Sequence, residues 1–440
     1  MKNLFLKMLT FVLVFSITIV GCNDDSQPEE PIEIPYLDNV PNVLQDVKKA
    51  NQWPERRAEI RTIMQDNSYG QWRSGETVTY SLNGTTLTVK VSHGGKNVEF
   101  NAAIELPSSA PPKGGYPVIF AFGALDGADF FMGSKGNPRQ YSLDKGYANI
   151  SIPTEAVAAD SAARTGAFYT LYPYREIQTG VLMAWAWGAS KALDALEAGA
   201  AAELNINAHN TIITGTSRNG KAAAVAGAFE ERFKITVPVS SGAGGAAIYR
   251  YNSKGQVYNL SGYFAYNGGG EWIVDGNNPQ SLSSIQGDSG GGWFVDKFRT
   301  FSNPDVLPFD QHFLLALCAG TNRYLFMVNG FEWDKWTNPP AFFYAYELTR
   351  PVFDLLGIPG NIAISMHRFR HGLEQEDMVK LIKYANYFFY KIQDLTFDYA
   401  ETEKPKPSTW NAFMNDLAVT PFSLTVSSDN NLIYQEGKPK

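Results

Sequence analysis

Apolar and polar positions along the chain follow two rhythms. Across residues 54–64, Ile60 and Ile63 recur at helical spacing among Arg56, Arg57, Glu59 and Arg61. That spacing predicts an amphipathic helix with the charged residues in solvent and Pro54 in its first turn, where a missing N–H does no harm. Residues 77–81 and 85–92 alternate on either side of Asn83-Gly84, a hairpin signal, and residues 98–106 supply another strand. Beyond them the rhythm changes. Tyr116-Pro-Val-Ile-Phe-Ala-Phe122 is an unbroken apolar run, as expected of a strand buried on both faces. Further strands are expected at 148–152, 211–214, 235–239, 323–328 and 362–366. Helices are expected at 177–196 (with Trp185 and Trp187), from 219 onward, at 309–317, at 341–356 with a break near Pro351, and at 378–389. Residues 251–292 are rich in Gly, Asn and Ser and read as an irregular insertion; the polar tail from 401 carries one strand candidate at 422–426. Apolar strands alternating with amphipathic helices predict a doubly wound, mostly parallel sheet in a three-layer α/β sandwich.

The junction near residue 217 gives that sheet a chemical direction. The β-branched run 211–214 stops at Gly215, Ser217 follows in a tight polar turn, and a helix begins with Lys221, Ala222, Ala223, Ala224 and Val225. Strand, sharp turn and helix with a hydroxyl at the bend is the nucleophile elbow of the α/β-hydrolase fold. It aims free N–H groups of the helix amino terminus at an oxyanion formed beside the serine. The spacing is Gly-x-Ser-x-x-Gly rather than the usual Gly-x-Ser-x-Gly, so the generic motif matches in part. The end of the 116–122 run, Gly123-Ala-Leu-Asp-Gly127, falls where that fold places a loop facing the active site.

A serine nucleophile needs a base to take its proton and a third group to orient that base. Of five histidines, His93 lies in the hairpin, His209 in a polar loop before the elbow strand, and His312 early in an apolar helix that suits a structural hydrogen bond. His367 and His371 both follow the last strand, where this fold delivers its base. His371, followed by Gly372 and the acidic helix start Glu374, Glu376 and Asp377, is the favoured one. Glu332 and Asp334, after the 323–328 strand, both suit the orienting acid; Asp334 stands beside Trp336 in a turn-rich stretch.

The chain has 440 residues, enough for one large α/β domain with additions, and a net charge of -7, which argues against nucleic acid as a partner. Aromatic residues make up 13%; most suit a core, and some could line a carbohydrate-facing surface. Cys318 sits in an apolar context and reads as a buried thiol, and no metal-ligand spacing occurs, so neither a metal nor a cofactor is expected. Residues 1–22 read as an export signal, with Lys2 and Lys7 before an apolar stretch too short for a comfortable membrane span. Its end, Ile19-Val20-Gly21-Cys22, resembles a bacterial lipobox, which implies cleavage before Cys22 and lipid attachment to its thiol. Each buried CH₂ of such a chain contributes about 0.8 kcal/mol to holding a protein on a membrane. Residues 23–38 read as a disordered acidic tether, 39–400 as the catalytic domain and 401–440 as an extension. The expected location is the cell envelope: the outer membrane, with surface exposure or a periplasmic face both open. A monomer is expected.

The region from about Trp53 to Phe389 resembles the glucuronoyl esterases, carbohydrate esterase family 15. The resemblance rests on Gly215-Thr-Ser-Arg-Asn-Gly-Lys221, where the family has Gly-Cys-Ser-Arg-x-Gly-Lys. It extends to Arg164-Thr-Gly-Ala-Phe-Tyr169, Leu182-Met-Ala-Trp-Ala-Trp187, Leu307-Pro-Phe-Asp-Gln-His312 and Asp334-Lys-Trp-Thr-Asn-Pro339. The resemblance implies an esterase that cleaves the bond between lignin alcohols and 4-O-methyl-glucuronic acid on xylan. Ser217 would be nucleophile, His371 base and Arg218 an oxyanion stabiliser, with Lys221 binding sugar hydroxyls and Trp336 lining the uronate pocket. Two departures stand out. The family often carries an acid after the strand that follows the elbow, as Gln-Glu-Ser-Gly-x-Gly-Gly; here the stretch is Val239-Ser240-Ser241-Gly-Ala-Gly-Gly, without a carboxylate. Some bacterial members take their acid from the Asp-x-Trp loop instead, which points to Asp334. The family's sugar-binding Gln and Glu, eight residues apart, fit Gln280 and Asp288, an aspartate that reaches one methylene less far. The alternatives are an acetyl or aryl esterase on xylan, or a glucuronoxylan-binding protein that has lost catalysis.

Overall fold

The computed structural model describes residues 40–123, 125, 136–251, 257–258, 272–273, 280–287, 292–330, 334–367, 371–390, 422–426 and 432–436. All belong to the unit Tyr36–Lys440. Its centre is a nine-stranded sheet of β1 (Thr77–Asn83), β2 (Thr86–His93), β3 (Lys96–Glu105), β4 (Tyr116–Phe122), β5 (Ala148–Ile152), β6 (Ile206–Thr216), β7 (Ile235–Val239), β8 (Tyr324–Gly330) and β9 (Ile362–His367). The spatial order is β1-β2-β3-β5-β4-β6-β7-β8-β9. From β5 to β9 neighbouring strands pair in parallel, while β1, β2 and β3 form an antiparallel edge joined to β5. The expected doubly wound α/β-hydrolase sheet is therefore present, with the hairpin strands extending one side.

Most positions of β4, β7, β8 and β9, and the 211–215 stretch of β6, are buried because both faces of the sheet are covered there. On one face Ile119, Ala121, Ile212, Val237, Val239, Phe326 and Val328 pack against Met378, Leu381, Ile382 and Ala385 of a helix here called α7. The remaining helices used below are α1 (Trp53–Met64), α2 (Pro138–Asp144), α3 (Val181–Ala195), α4 (Arg218–Phe229), α5 (Gln311–Ala316) and α6 (Pro339–Leu355), with α7 spanning Gln375–Tyr390. Helix α4 lies along β6 and β7 and packs against α3. Trp185 and Trp187 on α3 are buried; Trp185 donates to the Ala158 carbonyl and Trp187 to Glu76 at the start of the hairpin. Glu76 also accepts from Tyr172 and Lys191, which ties the antiparallel edge to the helical layer.

Several local expectations differ from what is observed. Arg56 is buried rather than solvated: its Nε donates to the Val43 carbonyl at 2.8 Å and its guanidinium lies over the Phe313 ring. An arginine can satisfy its fork internally while its stem fills apolar space, so helical spacing alone misplaces it. Helix α3 begins at Val181, not 177, because Gln178 adopts a left-handed φ of 43° that separates it from a short turn at Tyr174–Ile177. Helix α6 runs through Pro351 without ending. His209 stands inside β6 and is exposed. The strand at Phe422–Val426 has an antiparallel partner, Leu432–Glu436, that the hydrophobic pattern does not reveal.

Candidate active site

The site lies at the carboxyl ends of β6, β7, β8 and β9, four adjacent parallel strands whose registers place Thr216 beside Val239, Val239 beside Val328 and Gly330 beside His367. Ser217 follows β6 directly and has φ 62° and ψ -127°. A left-handed φ is costly for a residue with a Cβ, of order 1–3 kcal/mol, and persists where the surroundings impose it. Here the Ser217 N–H donates to the Val239 carbonyl at 3.0 Å, and the Ser217 carbonyl accepts the Lys221 N–H at 3.0 Å, starting α4. The two glycines of the motif serve this turn. A Cβ on Gly215 would stand 2.5 Å from the Asn219 carbonyl oxygen, and one on Gly220 2.5 Å from that of Val239. The extra residue before the second glycine thus places Gly220 where α4 crosses β7. Gly123, at the end of β4, lies beside Asn219, as expected of the loop that faces the elbow.

Asp334 and His371 come from the loops after β8 and β9. Asp334 is fully buried, and its carbonyl is held by the Thr337 hydroxyl at 2.7 Å and the Thr337 N–H at 3.0 Å. Its Oδ1 lies 2.7 Å from Nδ1 of His371. With Nδ1–H donated to the carboxylate, Nε2 is the ring nitrogen left to accept a proton. His371 is 8% exposed, and the half-buried Trp336 ring stands 4.6 Å from its imidazole. The other candidate base, His367, pairs with Asp377 at 2.7 Å instead. Asp377 also accepts from Ser365 and from the Glu374 N–H, so this second pair joins the end of β9 to the start of α7 beneath the loop carrying His371. His312 is buried, with Nε2 at 2.9 Å from the Pro41 carbonyl, and burial lowers its pKa to about 3: a structural histidine, as its helix suggested.

Ser240, where an acid could have stood, has a left-handed φ of 43° and is fully buried. Its hydroxyl finds no hydrogen-bond partner among the described residues. The carboxylate paired with the imidazole comes from the loop after β8. Glu332, Asp288 and Cys22 lie outside the described residues.

Arg218 is exposed at the first position of α4, with Nε 3.1 Å from Asp160 Oδ2. Lys221, one turn later, is buried. Its Nζ donates to the carbonyls of Ser241 and Ala243 (2.7 Å to the latter) and to Gln280 Oε1 at 2.9 Å. Burial pushes this ammonium down to about 7, with the Asp334 charge opposing the shift. All three of its hydrogens have acceptors within the protein, and one of these bonds orients the Gln280 amide. Gln280 is half-buried; its backbone N–H donates to the Trp336 carbonyl at 2.7 Å, which fixes these two residues to one another. Sequence reasoning missed Asp160 and Trp293, which contact Arg218 and Lys221, because neither stands in a motif. Among the described residues no cluster of three or more His, Cys, Asp or Glu is arranged to hold a metal ion.

Comparison with known proteins gives this arrangement a family. Residues 89–357 match the model described as glucuronyl esterase, fungi. A multidomain esterase of Ruminococcus flavefaciens is 39% identical over 79% of this chain; the match spans 45% of that longer protein. A 4-O-methyl-glucuronoyl methylesterase of Schizophyllum commune is 31% identical, covering 75% of this chain and 73% of the relative. The solved structure of a carbohydrate esterase family 15 glucuronoyl esterase from Caldicellulosiruptor kristjansonii superposes with a TM-score of 0.72 at 37% identity, covering 85% of this chain and 96% of that one. The chain belongs to the glucuronoyl esterase family.

Proposed function

We propose that this chain is a serine carboxylic-ester hydrolase that cleaves the ester between the carboxyl group of (4-O-methyl-)glucuronic acid on xylan and an alcohol of lignin. The observation that carries the proposal is the His371 Nδ1–Asp334 Oδ1 contact, which leaves Nε2 of His371 to act as base. His371 takes the proton of Ser217 as Oγ attacks the carboxyl carbon. The oxyanion is stabilised by the amino terminus of α4 and by Arg218, and its collapse expels the alcohol, protonated by His371. Water, deprotonated by His371 in turn, then releases the uronate from Ser217. Gln280, oriented by Lys221, and Trp336 bind the sugar; Asp288 remains the candidate second polar contact. Family membership supports this reaction over an acetyl or aryl esterase, and the buried Asp334 at the imidazole favours catalysis over glycan binding alone. Wild-type protein should release benzyl alcohol from benzyl glucuronate and turn over methyl glucuronate in preference to acetylated xylan. Ser217→Ala should abolish both uronate activities, and undiminished turnover in that variant would refute the assignment.

Residues 1–22 support a second proposal, that the mature protein begins at a lipidated Cys22 and is held on the cell envelope. Incorporation of labelled fatty acid that disappears in Cys22→Ala is the expected result, and equal labelling of both proteins would exclude it.

A further inference from the structure

Two cations of the first turn of α4, the exposed Arg218 and the buried Lys221, meet a linked pair of residues, Asp160 and Trp293. Arg218 touches Asp160 through Nε at 3.1 Å, although its side chain is 59% exposed. The second carboxylate oxygen of Asp160 accepts the indole N–H of Trp293 at 2.7 Å. The Lys221 ammonium stands 5.5 Å from the centroid of the Trp293 ring. Trp293 is itself held in place. Arg164 donates to the carbonyls of Gly292 and Phe294 on either side of it, and the Val181 and Leu182 N–H groups at the start of α3 donate to Gly292 and Trp293.

We propose that Asp160 and Trp293 are positioning residues for Arg218, aligning its guanidinium with the oxyanion that forms on Ser217. An exposed arginine samples many rotamers, and a donor that must reorganise during the reaction stabilises a transition state poorly. An exposed ion pair contributes little to folding, so stability does not explain a carboxylate fixed at this place by a buried indole. The closest approach of this ion pair is at Nε, which draws the guanidinium toward the Asp160 carboxylate. The two oxygens of Asp160 divide the work: one is anchored by Trp293, the other steers Arg218. The inference rests on the serine-esterase proposal and on Arg218 serving the oxyanion.

The test is steady-state hydrolysis of benzyl glucuronate by full-length Asp160→Ala, Asp160→Asn, Trp293→Phe, Arg218→Ala, Ser217→Ala and the Asp160→Ala/Arg218→Ala double variant, each checked for its melting temperature. Loss of an oxyanion donor costs about 10²–10³ in rate, so Arg218→Ala should fall in that range and Asp160→Ala should lose about tenfold in kcat. KM should stay within about twofold, since a transition-state interaction is what is lost. Asp160→Asn and Trp293→Phe, which disturb the site less, should lose kcat in the same direction. In the Arg218→Ala background, removing Asp160 should cost nothing more, because its effect passes through the guanidinium. Wild-type kcat in Asp160→Ala and Asp160→Asn, or a full additional loss in the double variant, would overturn the inference. An inactive Ser217→Ala alongside a fully active Asp160→Ala sinks the positioning role alone, whereas an active Ser217→Ala sinks the esterase proposal with it.

Discussion

Nδ1 of His371 meets Oδ1 of Asp334 at 2.7 Å, although the two residues are 37 positions apart and come from the loops of neighbouring parallel strands. A buried carboxylate at that nitrogen selects the tautomer with a free Nε2 and stabilises the imidazolium that forms when the serine gives up its proton. The family's alternative acid position, at the end of β7, is held by Ser240, which carries no charge.

Asp334→Asn should therefore keep the fold and lose the chemistry. An amide in place of the carboxylate favours the wrong tautomer, and in a serine protease that exchange lowers kcat by about 10⁴. A fall in kcat on the order of 10³-fold or more, with KM little changed, is expected for uronate ester hydrolysis. Activity near that of the wild type would mean that the carboxylate does not orient the base.

Ser240→Ala should be nearly silent. The buried hydroxyl has no partner among the described residues, so removing it sacrifices no hydrogen bond. Stability should be unchanged or raised by up to about 1 kcal/mol in urea unfolding, and kcat should stay within about threefold. A large kcat loss here would show that the Ser240 hydroxyl takes part in the site.

Gly220→Ala should destabilise, against the usual propensity. Alanine in a helix interior gains about 1 kcal/mol over glycine. At this position its methyl would press on the Val239 carbonyl oxygen at 2.5 Å, which is backbone and also accepts the Ser217 N–H. Overpacking costs about 1–3 kcal/mol, so the net change should be a loss, accompanied by reduced turnover as the elbow shifts. A more stable and fully active Gly220→Ala protein would contradict the close crossing of α4 and β7.

Lys221 gives stability a pH dependence of definite sign. Its pKa in the folded protein is lowered to about 7 by burial, while the unfolded chain keeps its lysine protonated to about 10.4. Between those values the unfolded state binds more protons, so this group makes stability rise with pH; below about 7 the buried charge costs its full penalty. Lys221→Met should remove a slope of at most about 1.4 kcal/mol per pH unit from denaturant unfolding measured across that window. Parallel pH profiles for the two proteins would show that the ammonium is not desolvated.

Much of this arrangement is visible in the residues themselves. The runs Tyr116–Phe122, Ala148–Ile152 and Ile235–Val239 coincide with observed strands because a parallel strand covered on both faces is mostly apolar. Ser217 stands after its strand in the expected chain order, as do His371 beside His367 and Asp334 beside Glu332, and the structure joins His371 to Asp334 directly. What spacing does not reveal is where a charged side chain ends up. Arg56 reads as solvated and is buried; Lys221, to which the family resemblance gives sugar hydroxyls as partners, is enclosed by two carbonyls and Gln280. Asp160 and Trp293 carry no local signal, since each lies far in sequence from the α4 residue it meets and stands in no motif.

The most direct test is mass spectrometry of protein quenched during turnover of benzyl glucuronate, followed by digestion and location of the adduct. The expected result is a glucuronoyl ester on the peptide containing Ser217, present in the wild type and absent from Ser217→Ala and His371→Ala. Alcohol release that proceeds at an undiminished rate in Ser217→Ala, or an adduct on a different residue, would contradict a serine nucleophile at this elbow.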